Sequence, residues 1–95
     1  MLFRSKLFDS RIRLGIMSAL MVNTAVNFNE LKELLGITDG NLASHLKTLE
    51  ESVFIKVQKG FIGRKTNTTY SITRPGEKAF KQHLEALEKM IGSVK

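Results

Sequence analysis

The chain has 95 residues, no cysteine and a formal charge of +6, from 15 Lys and Arg against 9 Asp and Glu. That length suits one modest hydrophobic core, so a single domain is expected over residues 1–95. The missing cysteines exclude disulfides, thiolate metal sites and thiol redox sensing and fit a reducing cytoplasm, while a pI near 9.9 is the footprint of a nucleic-acid partner.

The positive charge is unevenly placed. Residues 27–51 hold two lysines against five acids, a net of −3, whereas residues 52–76 hold five cations and no acid. The longest apolar run, Leu14 to Val22, is broken by Gly15 and Ser18. It is far below the ~20 residues of a membrane span, and no secretory signal precedes it.

In chain order, residues 1–8, MLFRSKLF, mix apolar and basic groups without a period and suit an arm or a helix start. Asp9 or Ser10 can cap a helix of about 9–22. Ile12, Ile16, Ala19 and Leu20 line one side of it, and Leu14, Met17 and Met21 another. Apolar on most of its surface, it must be covered twice, by the protomer's own core or by a second subunit. Thr24 to Phe28 is short and partly β-branched and reads as a brief edge strand.

Residues 27–51 read as two helices around a tight turn. Asn27 followed by Glu30 is a capping box, and Phe28, Leu31, Leu34 and Leu35 fall on one helical face. Gly36 can adopt the left-handed conformation that ends a helix, and Thr38 can cap the next. There Leu42, Leu46 and Leu49 face inward, leaving Gly40, Asn41, Ser44, His45, Lys47 and Thr48 outward. Short hydrogen-bonding groups with one cation suit a polar groove such as that of duplex DNA.

After Glu51 the period changes to two. Val53, Ile55 and Val57 alternate with Phe54, Lys56 and Gln58, and Thr68 to Thr73 supplies a β-prone partner. Between them lies a basic loop containing Gly60, Gly63, Arg64, Lys65 and Asn67. The predicted hairpin, about 53–73, is a wing suited to phosphates or a minor groove. Arg74, Pro75 and Gly76 then open a helix of about 75–94, in which Phe80, Leu84, Leu87, Ile91 and Val94 repeat at spacings of 4, 3, 4 and 3. That is an a/d seam, which Ala79, Ala86 and Met90 widen.

This order resembles the small winged helix-turn-helix regulators of bacteria and archaea, nearest the MarR and ArsR groups. SRIRLGIMSAL, FNELKELLGITDGNLASHLKTLEE and TTYSITRPGEKAF carry the resemblance. It implies an α+β, mainly α fold: a three-helix core, a wing of two to three strands and a long carboxyl-terminal helix. It also implies a homodimer bound to operator DNA. Ser52 departs from the pattern, standing where these proteins often place glycine, and no ArsR-type metal constellation exists because His45 and His83 lie in different helices.

The expected base-reading residues are Asn41, Ser44, His45 and Thr48. Lys47, Arg64 and Lys65, with Lys56 and Lys59 weaker, are the phosphate or minor-groove candidates, since lysines on an edge strand also deter aggregation. The expected dimer interface comprises Ile12, Ile16, Phe80, Leu84, Leu87, Ile91 and Val94. No enzyme is expected: Ser44 and His45 point about 100° apart on one helix, and GFIG lacks the lysine and helix of a phosphate loop. No cofactor or metal is expected either. A winged-helix module that docks on a protein without binding an operator is the alternative.

Overall fold

The computed structural model describes residues 10–92. Asp9 as a cap, the amino-terminal arm and Val94 of the expected seam lie outside them. Its elements are α1 (Arg11–Val22), β1 (Val26–Asn27), α2 (Phe28–Leu35), α3 (Asp39–Glu51), β2 (Ile55–Ile62), β3 (Lys65–Ile72) and α4 (Arg74–Gly92). Three helices, one antiparallel sheet of order β1-β3-β2 and the long last helix form the α+β architecture expected from the sequence.

Local chemistry sets most boundaries. Ser10 caps α1, its hydroxyl accepting from the N–H groups of Ile12 and Arg13 at 3.2 and 3.4 Å. At α2 the capping box forms in full: the Glu30 N–H donates to Asn27 Oδ1 at 2.8 Å, and the Asn27 N–H donates to Glu30 Oε1 at 3.0 Å. Gly36 ends α2 at φ 63°, its N–H reaching the Lys32 carbonyl. Thr38 then caps α3 by accepting from the Asn41 N–H at 3.3 Å.

The end of α3 shows where the expected glycine went. Ser52 keeps an ordinary negative φ, and the left-handed position falls one residue later, on Val53 at φ 57°. The Val53 N–H donates to the Glu50 carbonyl and the Phe54 N–H to the Leu49 carbonyl, the paired bonds of a Schellman motif. A β-branched side chain there costs about 1–2 kcal/mol. Val53 therefore belongs to the helix end, and the strand begins two residues beyond its predicted start.

Both strands run further towards the tip than the composition suggested. Eight pairs, from Ile55 opposite Ile72 to Ile62 opposite Lys65, leave only Gly63 and Arg64 as the turn. Gly63 has φ 65°, the conformation a two-residue hairpin of the II′ kind requires at its first position. Gly60 and Asn67, which looked like loop punctuation, face each other across the ladder.

The core joins Ile16, Met17 and Leu20 of α1 to Leu31 of α2, Leu42, Leu46 and Leu49 of α3, Ile55, Tyr70 and Phe80. Two expected interface residues are corrected by it. Ile16 is 0% exposed and Phe80 3%, so both pack within the protomer and offer nothing to a partner. The second cover that α1 required is thus largely the protomer's own core. Leu34 departs in the opposite sense, being 66% exposed despite its place in the apolar pattern of α2. A helix of only eight residues gives its neighbours a narrow stripe, and Leu34 lies beyond its edge.

Thr73 ties the wing to α4. Its N–H donates to the Phe54 carbonyl at 3.1 Å, its hydroxyl donates to the Val53 carbonyl at 2.6 Å, and the same hydroxyl accepts from the Gly76 N–H at 3.0 Å. One side chain therefore caps α4 and fastens it to the end of α3. Gly76 is buried against the Phe54 backbone, where a Cβ would overlap the carbonyl.

Candidate nucleic-acid interface

The inward leucines of α3 fix which of its residues face solvent. With Leu42, Leu46 and Leu49 buried, Asn41, Ser44 and Lys47 are exposed and His45 and Thr48 half-buried, which brings the expected reading stripe together on one helix. Thr48 is partly committed: its hydroxyl donates to the Ser44 carbonyl at 3.2 Å, leaving lone pairs and a methyl for outside contacts.

His45 differs more from expectation. Arg13 of α1 crosses to it, Nε donating to His45 Nδ1 at 2.9 Å. Burial first, and the Arg13 charge second, hold the imidazole below its usual pKa and so favour the neutral ring. A neutral imidazole that accepts at Nδ1 carries its proton on Nε2. No hydrogen bond of Nε2 is present among the described residues.

Two other charges qualify the acidic balance of this segment. Asp39, in the first turn of α3, pairs with Lys32 of α2 at 2.7 Å, so one carboxylate beside the stripe is locally compensated. Arg13 and Lys32 were not among the residues singled out from sequence. Arg13 lies 32 positions from its partner, beyond any local pattern, whereas a cation in the last turn of α2 is a signal that helix polarity supplies.

On the wing, Lys56, Lys59, Arg64 and Lys65 are all exposed. Alternation along the strands divides them: Lys56 and Lys65 share the face opposite Ile55, whereas Lys59 lies on the core-facing side, past the residues that fill the core. Arg64 sits in the turn itself. Phe61 and Ile62 are exposed beside it. Among the described residues no helix is long and apolar enough to cross a membrane, and no group of three or more His, Cys, Asp or Glu could hold a metal ion.

A helix with a short polar face, packed from behind by leucines and accompanied by an acid-free hairpin, defines a winged-helix module built for nucleic acid. Its sequence matches the winged helix DNA-binding domain family over residues 12–91, and the chain belongs to that family. It is 42% identical over 79 residues to an uncharacterized protein of Methanocaldococcus jannaschii, covering 83% of this chain and 86% of that one. A transcriptional regulator homologue from Pyrococcus horikoshii superposes with a TM-score of 0.89 at 30% identity, over 97% of this chain and 91% of the other. Bacillus subtilis PadR, solved with operator DNA, shares the fold at a TM-score of 0.66 and 19% identity, over 75% of this chain and 46% of PadR. The chain is thus a small winged-helix regulator.

Proposed function

We propose that the protein is a sequence-specific DNA-binding transcriptional regulator that works in the cytoplasm as a homodimer, placing α3 in the major groove and the wing on phosphates or in the adjoining minor groove. The observation that carries this reading is the division of labour between neighbouring elements. The outward side of α3 carries exposed Asn41 and Ser44 beside half-buried His45 and Thr48, which can discriminate base edges, while the hairpin after it supplies cations with no acid from Ser52 to Gly76. The operator complex of PadR supports the use of this fold on duplex DNA.

Asn41 can pair bidentately with adenine, Ser44 and Thr48 suit several bases, and Lys47, Arg64, Lys65, Lys56 and Lys59 neutralise phosphates. The second subunit docks on the outer side of α4, through Leu84, Leu87 and Ile91, with Ile12 of α1 alongside. Two copies related by a two-fold axis read a pseudo-palindrome whose half-site centres lie one or two helical turns apart, ~10–20 bp.

Binding of a mixed-sequence duplex at 50 and 200 mM salt tests the reading. Six or more phosphate contacts require affinity to fall about 10³-fold or more between those conditions. A flat response would favour docking on a protein through the apolar terminal helices and would sink the DNA reading.

A further inference from the structure

One hydrogen bond joins the reading face to an element outside the helix-turn-helix. Arg13 is near the start of α1, and its Nε–H meets His45 Nδ1 at 2.9 Å between two half-buried side chains. Packing holds both partners in place, since Ile16 and Met17 on α1 and Leu42 and Leu46 on α3 belong to the same core. An unanchored neutral imidazole can carry its proton on either nitrogen. The two tautomers present opposite characters at Nε2, a donor in one and an acceptor in the other.

We infer that Arg13 is a positioning residue for base recognition: by occupying Nδ1 it fixes His45 as an Nε2–H donor, so that the ring selects acceptor edges in the major groove. The inference rests on the duplex-binding reading above. Purine N7, guanine O6 and thymine O4 satisfy such a donor, whereas the amino groups of cytosine and of adenine oppose it. Arg13 thereby acts through His45 without touching a base. Reading by His45 is one-way only while the arginine is in place.

Two measurements on the full chain decide the matter. In nitrogen-15 NMR of the free protein at pH 7.5, the His45 ring of the wild type should show a protonated Nε2 and a bare Nδ1, and Arg13→Met should show mixed tautomers with the remaining amide spectrum retained. For a duplex selected from a random pool and its single-base variants, the wild type should reject an amino-bearing edge at one position by about tenfold. Arg13→Met and His45→Ala should lose that rejection at the same position and nowhere else.

An unchanged tautomer in Arg13→Met overturns the inference. So does a uniform loss of affinity with base preferences intact, which would make Arg13 a phosphate contact. A wild-type protein that selects no duplex overturns the functional reading and the DNA part of this inference together. A selective wild type whose Arg13→Met variant selects equally well overturns this inference alone.

Discussion

Gly76 has no room for a side chain, because a Cβ there would overlap the Phe54 carbonyl and backbone cannot rotate away as a flexible side chain can. Gly76→Ala should therefore destabilise the fold by about 2–3 kcal/mol, seen as a lower urea midpoint at unchanged m-value. At Val53 the imbalance is the reverse, a strained conformation carried by an exposed β-branched residue. His45 brings a pH dependence whose sign follows from its environment. Burial and the Arg13 charge lower its folded pKa below the usual value near 6.5, so the neutral ring favours the fold. Stability from this group is complete above about pH 6.5 and declines as pH falls through the folded value. Urea midpoints of wild type and His45→Gln at pH 7.5 and 5 check this. The wild type should lose more stability than the variant, and equal losses would mean that His45 does not titrate with folding.

Elements whose boundaries depend on neighbouring residues were legible in the sequence. Asn27 with Glu30, Gly36, Thr38 and the leucines of α3 each act within one or two turns, and each forms as its spacing implied. The wing was less so. Gly60 and Asn67 are turn formers by composition, yet each finds the other in the ladder, and cross-strand pairing extends the strands to a two-residue turn. Burial of Ile16 and Phe80 was equally hidden, since a periodic apolar face does not say which chain will cover it. The contact between Arg13 and His45 needs the packing of α1 on α3. Within the proposed function, reading and anchoring are separable by element. Arg64→Ala with Lys65→Ala should weaken binding to all duplexes alike and reduce the dependence of log K on log salt by about two, while Asn41→Ala should change the preferred sequence. Competition binding across a duplex library distinguishes the two, and identical profiles for both variants would refute the division.

At the scale of the whole molecule, the protomer satisfies its own core but leaves one end of α4 uncovered. Leu84 and Met90 are exposed and Ile91 is 70% exposed, with Leu87 half-buried. Phe80 and His83, on the first half of the helix, are buried. The expected seam thus divides into an inner part that completes the domain and an outer part left exposed, which the proposed dimer would cover. Leu84→Glu should convert the proposed dimer to monomer in a light-scattering mass measurement without unfolding it, since that side chain is not needed in the core. A variant with the mass of a wild-type dimer would remove α4 from the interface. The junction at Thr73 gives this arrangement a mechanical character. Because one hydroxyl fastens the start of α4 to the carbonyl after α3, a dimer formed through α4 would carry its two recognition helices like the jaws of a fixed-gap caliper. One base pair added between half-sites turns the second site by about 35°. In such a dimer the gap between the jaws would become part of the code.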